Sequence, residues 1–119
     1  MALKSKVREI TLVDEGGTFN TILKRFTGGK KEYDFDSLSA LRKLLSNQKA
    51  RLLHIIKTQS PNSIYSLAKI LKRDFKSVSQ DIKLLERFGF IDLISEKTGA
   101  RERLKPILAV DSIYLQIKL

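Results

Sequence analysis

The chain has 119 residues, 42% of them hydrophobic and 30% charged, which is the composition of one globular domain and not of a disordered segment. It contains no cysteine and a single histidine, so a disulfide framework, thiolate catalysis and a histidine-based metal cluster are excluded. The formal charge is +10, and residues 37–119 contribute +9, with sixteen Lys/Arg against seven Asp/Glu, a bias that favours a polyanionic partner.

The N-terminus lacks the apolar stretch of a secretory signal, and no run of about 18 apolar residues exists that could span a membrane. We therefore expect a cytoplasmic protein without a membrane partner. The sequence also shows no internal repeat with a period of about 20 to 50 residues.

The first 34 residues are predicted to form a strand followed by a helix. Residues 7–13 are rich in β-forming side chains and end at a turn sequence with Gly16 and Gly17. Between Phe19 and Phe26 the apolar residues recur at i, i+3, i+4 and i+7, the spacing of an amphipathic helix. A β-hairpin is the alternative, because the same turn sequence suits a strand reversal. This strand-helix piece is too small to fold alone, so we expect its apolar stripe to pack on the main body of the protein or on a second subunit. Dimerisation or partner binding is the expected role of these residues.

Two helices are expected next. A short helix begins at Asp36 or Ser37, and Ser46 then restarts the pattern for a second helix over residues 47–57. The apolar residues of this second helix turn inward, and Lys49 is expected on its solvent side.

A helix, a tight turn and another helix follow. Ser63 is expected to cap a helix over residues 64–71, Asp74 caps the next one, and Gly89 ends it. The second helix has an apolar face with Phe75, Val78, Ile82 and Leu85, and an opposite face with Lys76, Gln80, Lys83 and Arg87. Amide and cationic donors on an exposed helix face suit base edges and phosphates in the major groove of DNA.

Strands are predicted over residues 90–94 and 104–108, joined by the polar segment 95–103. This hairpin has a basic tip and follows two helices directly, the arrangement of a wing. Residues 111–119 alternate between apolar and polar side chains, which predicts a half-buried strand that could pair with residues 7–13.

The segment Arg73-Asp74-Phe75-Lys76-Ser77-Val78-Ser79-Gln80-Asp81, within the leucine-rich pattern from Phe35 to Ile91, resembles a family of predicted winged-helix transcriptional regulators from archaea and bacteria. That family is distantly similar to the MarR group, and some members are described as antitoxins. The resemblance covers roughly two-thirds of the chain and implies a winged-helix fold and DNA binding; residues 1–34 lie outside it.

The predicted fold class is therefore mostly α with a small β component, an α+β arrangement. Residues 35–119 would form a winged helix-turn-helix domain, and residues 1–34 a strand-helix extension. The predicted function is that of a sequence-specific regulator of double-stranded DNA, a repressor acting as a homodimer. Helix 74–88 would enter the major groove, and the wing 95–103 would contact the backbone.

Ten residues are expected to contact DNA. Ser77, Ser79 and Gln80 are candidates for base contacts, because hydroxyls and amides read donor and acceptor patterns. The cations would bind phosphates: Lys72, Arg73, Lys76, Lys83, Lys97, Arg101 and Arg103. Arg87, at the far end of the helix, is left out of this set. No catalytic residue, metal or cofactor is expected, because the sequence shows no nucleophile–base pair, ligand cluster or phosphate loop.

Two other interpretations compete with this one. The charged face could be the solvated side of an amphipathic helix. Alternatively, the chain could be a protein-interaction module, or an antitoxin that binds a toxin, with DNA binding secondary. RNA binding is disfavoured, because the phenylalanines lie at core spacings and form no evident stacking surface.

Overall fold

The computed structural model describes residues 7–27 and 30–119, with side chains at 7–21, 38–97 and 99–119. This part of the chain contains six strands and four helices: β1 (Val7–Glu15), β2 (Thr18–Thr27), β3 (Lys30–Ser37), α1 (Leu38–Leu44), α2 (Asn47–Gln59), α3 (Ile64–Leu71), α4 (Phe75–Arg87), β4 (Ile91–Thr98), β5 (Arg101–Leu108) and β6 (Ser112–Lys118). They form two compact units. The first contains β1, β2, β3, α1 and β6, and the second contains α2, α3, α4, β4 and β5.

The first unit is built on a sheet with strand order β3-β2-β1-β6. Strand β2 is antiparallel to β1 and to β3, whereas β6 runs parallel to β1, with Val7 opposite Ser112 and Val13 opposite Lys118. Helix α1 contacts β2 and β3. The predicted pairing of the last strand with residues 7–13 is confirmed.

The helix predicted over residues 19–26 is wrong, and the hairpin alternative is right. Strands β1 and β2 meet at Gly16 and Gly17, whose φ values of 63° and 92° are those of a type I′ turn. The backbone N–H of Gly17 donates to a carboxylate oxygen of Asp14 at 2.9 Å. The segment after this turn is rich in Thr, Phe and Ile, which favour strands, so its apolar spacing fits a strand as well as a helix.

The predicted fold class is also wrong. In the described residues the strands together are longer than the helices, and they form one four-stranded and one two-stranded sheet. The protein is therefore α+β with a large β component, not a mostly α winged helix-turn-helix domain with a strand-helix extension. The units also divide the chain differently from the predicted boundary between residues 34 and 35, since α1 and β6 belong with the first three strands.

The second unit packs three helices and the β4–β5 hairpin around its own core. Its fully buried apolar side chains come from all three helices and from the chain that enters the hairpin: Leu52, Leu67, Val78, Ile82, Leu85, Phe88 and Ile91. The cap predicted at Ser63 is confirmed, because its hydroxyl accepts a hydrogen bond from the backbone N–H of Ser66. Ser46, where the helical pattern was expected to restart, likewise accepts from the backbone N–H of Lys49. None of the helices within the described ranges is both long and apolar enough to cross a membrane.

Candidate nucleic-acid interface

Helix α4 is fixed at both ends by local hydrogen bonds. At its start, a carboxylate oxygen of Asp74 accepts from the backbone N–H of Ser77 at 2.9 Å. At its end, Gly89 adopts φ 77°, and the N–H groups of Gly89 and Phe90 donate to the carbonyls of Glu86 and Leu85, each at 2.9 Å. This Schellman motif requires a left-handed residue, which explains the glycine. The helix is therefore a defined element of 13 residues.

The outward face of α4 carries the side chains that the sequence placed there. Lys76, Gln80, Lys83 and Arg87 are all exposed and lie within about 60° of one another around the helix axis. Ser79 is half-buried at the margin of this row. The face therefore presents one amide and several cations to solvent, while the opposite face is core.

Two of the ten predicted contact residues are instead engaged within the protein. The guanidinium of Arg73 lies 2.8 Å from a carboxylate oxygen of Asp81, and it donates to the hydroxyl of Ser77 at 2.7 Å. The other carboxylate oxygen of Asp81 lies 3.0 Å from the ammonium of Lys49. We call this group, Lys49, Arg73, Ser77 and Asp81, the ionic cluster.

The expectation that Lys49 faces solvent is wrong, because its side chain is only 9% exposed. Asp81 is 14% exposed and Arg73 19%. A buried ammonium is stable only beside a counter-charge, which here comes from α4. The cluster thus joins α2, the turn before α4, and α4 itself. Arg73 and Ser77 serve this junction, so they are poorly placed to reach a ligand.

Lys72 lies in the turn between α3 and α4 with an exposed side chain. Its backbone is left-handed, with φ 56°, and its N–H donates to the carbonyl of Lys69 at 3.2 Å. A non-glycine residue in this conformation is strained by about 1–2 kcal/mol. The residue at this strained position of the turn, one residue before Arg73, is nevertheless a lysine and not a glycine.

The hairpin is longer and more regular than predicted. Strands β4 and β5 pair as far as Thr98 and Arg101, so most of the polar segment predicted to join the two strands is itself sheet. Gly99 begins the two-residue turn with φ 66°, as in a type II′ turn. The basic tip is therefore a two-stranded ribbon, in which alternate side chains point to opposite faces.

The pairing of the strands sorts the hairpin cations into two groups. Arg101, Arg103 and Lys105 alternate along β5, so they lie in a row on one face. Lys97 is opposite Glu102 and points to the other face. Glu102 also accepts a hydrogen bond from the hydroxyl of Ser95. The row on β5 includes a half-buried lysine, Lys105, that the sequence prediction omitted although the period of two could have revealed it.

An open groove of about 590 Å³ lies between the start of α3, the start of α4 and β5. Its walls include two exposed aromatic rings, Tyr65 at 58% and Phe75 at 51%, together with Arg101 and Arg103. The expectation that Phe75 belongs to the core is wrong, since it lies in the first turn of α4, where no neighbouring element in the described part of the chain covers it. At the start of α4, the groove therefore combines aromatic and cationic side chains with the carboxylate of Glu102.

The partner-binding role predicted for residues 1–34, including binding of a toxin, depends mostly on side chains that lie outside those described. The family model of HVO_A0114 matches residues 44–115, more than half of the chain, and covers α4 and the hairpin completely. Its description states no activity. No curated protein matches the chain. Neither comparison connects the chain with MarR-like regulators, so that resemblance stays a hypothesis.

Proposed function

This chain belongs to the HVO_A0114 family, and we propose that it is a double-stranded DNA-binding transcriptional regulator that inserts α4 into the major groove. The observation that carries the proposal is the pairing of two features in one unit: the exposed amide and cationic face of α4, and the row of cations on β5. Residues 45–109 contain thirteen Lys/Arg against six Asp/Glu, a net charge of +7. Such a surface attracts a polyanion and keeps base-reading donors exposed.

The proposed contacts divide by chemistry. Gln80 can donate and accept at once through its amide, which suits the edge of an adenine, and Ser79 adds a hydroxyl beside it. Lys76 and Lys83, one turn to either side of Gln80, reach phosphates on the two walls of the groove. The amide would thus read sequence, and the lysines would set the position of the helix.

Further phosphate contacts come from outside α4. Lys72 adds a cation at the turn, and Arg101, Arg103 and Lys105 add a row that follows the backbone. Lys97 lies opposite Glu102 on the other face of the hairpin, so we expect it to contribute less. Arg73 and Ser77 act indirectly, since the ionic cluster holds α4 against α2. We also propose that the protein acts as a repressor in the cytoplasm.

The test is selection of bound duplexes from a random pool, followed by titration of the selected duplex against salt. We expect the logarithm of affinity to fall linearly with the logarithm of salt concentration, with a slope of about 0.9 per phosphate neutralised. Gln80→Ala should relax sequence preference at one position, at about 1–3 kcal/mol for that base pair. Lys83→Ala should weaken all duplexes alike.

A matched control distinguishes binding at this site from attraction by the overall positive charge of the protein. Lys76→Glu and Lys43→Glu change the net charge equally, and both lysines are exposed, but only Lys76 belongs to the proposed interface. Lys76→Glu should abolish duplex binding, whereas Lys43→Glu should leave most of it. Equal losses from the two variants, or tighter binding of single-stranded RNA than of duplex, would contradict the proposal.

A further inference from the structure

Strand β6 forms an edge of the sheet in the first unit. Within the described sheet, one side of β6 pairs with β1, and the other side faces no strand. Two of its large apolar side chains are about half exposed, Leu115 at 48% and Ile117 at 53%. An edge with free backbone groups and exposed apolar side chains is a template for another strand.

The exposed residues of β6 continue a buried surface. Leu115 lies opposite Ile10 of β1, and Ile117 lies opposite Leu12, so each pair shares one face of the sheet. Ile10 and Leu12 are only 1% and 6% exposed. The apolar face that is covered on β1 therefore extends onto β6 without cover.

Strand β6 also lacks the usual protection of an edge. Proteins block edge strands with inward charges, prolines or bulges. The strand Ser-Ile-Tyr-Leu-Gln-Ile-Lys contains no proline, and its one charged residue, Lys118, is its last. The sequence of this strand therefore permits pairing along its whole length.

We propose that β6 pairs antiparallel with β6 of a second copy of this chain, about a two-fold axis at Leu115. This joins the two four-stranded sheets into one. The occupant is a second copy because the strand complements itself. In this register Leu115 faces its own copy, Ile113 faces Ile117, Tyr114 faces Gln116, and Ser112 faces Lys118.

Alternative registers fit less well. A shift that keeps the apolar faces together moves the strands by two residues and leaves five of the seven positions paired. The centred register pairs all seven, sets apolar residues opposite one another on one face and brings no like charges together. This dimer depends only on the first unit and does not rest on the proposed binding of DNA.

Cross-linking through single cysteines tests the register, because the chain contains no cysteine of its own. A short bismaleimide bridges facing residues about 5 Å apart. Leu115→Cys should therefore cross-link to its own copy. Ile113→Cys alone should not, because its two copies lie four residues apart along the pair, about 14 Å. A mixture of Ile113→Cys and Ile117→Cys chains should cross-link.

Charge substitution tests the same two-fold axis without cross-linking. Leu115→Lys places two like charges face to face, so we expect a monomer by sedimentation at micromolar concentration where the unmodified chain is a dimer. Mixing Leu115→Lys with Leu115→Glu should restore a dimer, which also shows that both variants are folded. Tyr114→Lys, on the opposite face, is the matched control and should remain dimeric.

Three results would overturn the proposal: a monomeric unmodified chain at the same micromolar concentration; a dimer that Leu115→Lys leaves intact; or cross-linking of Ile113→Cys to itself as strong as that of Leu115→Cys. The last result would indicate another register or another surface. None of these measurements uses DNA, so failure here and failure of the proposed function are told apart.

Discussion

Lys72 has a left-handed backbone conformation that is unfavourable for a residue with a Cβ atom. Its left-handed conformation, φ 56°, lets the N–H of the following Arg73 donate to the carbonyl of Ala68 at 3.1 Å and so closes the end of α3. Glycine is the residue that usually fills such a position, because it has no Cβ. Lys72 instead combines a left-handed backbone with an exposed cation of the proposed interface.

Lys72→Gly is expected to raise the free energy of unfolding by about 1 kcal/mol, because it removes the left-handed strain. The same change removes one proposed phosphate contact, so the salt slope of duplex binding should fall by about 1. Urea unfolding and salt titration measure the two effects separately.

Lys83→Gly is the control for Lys72→Gly, since it removes the same charge within a helix. It should lower the free energy of unfolding by about 1 kcal/mol, because glycine weakens a helix interior. A loss of stability in Lys72→Gly would show that the left-handed lysine is not strained.

At the scale of elements, the ionic cluster determines how α4 is held. Asp81 binds Lys49 of α2 at 3.0 Å and Arg73 of the preceding turn at 2.8 Å. The three side chains are mostly buried, so these pairs are screened less by salt than surface pairs are. One carboxylate is thus the counter-charge of two cations. Loss of the carboxylate and loss of one cation should therefore affect stability differently.

Asp81→Asn is therefore expected to be far more damaging than Lys49→Met. Asp81→Asn leaves two cations together in a mostly buried site. Breaking a buried pair in this way lowers the free energy of unfolding by about 3–5 kcal/mol. Lys49→Met leaves Asp81 paired with Arg73 and replaces a buried ammonium by an apolar chain of similar length, so a change below about 1 kcal/mol is expected. Urea unfolding of both variants measures the difference. Equal losses would mean that Arg73 does not share the carboxylate.

Local signals were sufficient to predict α4 and insufficient to predict β2. For α4, the cap at Asp74, the stop at Gly89 and the helical period agree, so neighbouring elements were not needed to define it. For β2, the apolar residues from Phe19 onward fit both a helix and a strand. The choice is made by the turn at Gly16 and by β1, and a partner strand is not visible in a local pattern.

The candidate site divides in a similar way. The exposed residues of α4 followed from helical geometry, and the basic hairpin followed from two β-prone runs joined by a polar segment. The burial of Lys49 and of Phe75 was predicted wrongly, because burial depends on which neighbouring residues cover a side chain. Asp81 draws the lysine inward, and the first turn of α4 leaves the phenylalanine uncovered. The periodicity of apolar residues in a sequence predicts the direction in which a side chain points, but not the residues that it contacts.

At the scale of the whole molecule, the distribution of charge is the dominant feature. The unit formed by residues 45–109 carries +7 of the total +10. Like charges at this density repel one another and oppose the compact state. A polyanionic partner would relieve this repulsion, and so would salt, although by screening and not by binding.

The unmodified chain should therefore become more stable as salt is added, while its affinity for duplex falls. Raising NaCl from about 10 to about 100 mM shortens the Debye length from about 30 to about 10 Å, which screens the exposed cations much more than the ionic cluster. The midpoint of urea unfolding should rise; urea is needed because guanidinium is itself a salt. A triple variant, Lys76→Gln, Lys83→Gln and Arg103→Gln, should show a smaller rise. A midpoint that falls with salt in the unmodified chain would show that attractive pairs outweigh the repulsion, and the excess charge would then need no partner to offset it.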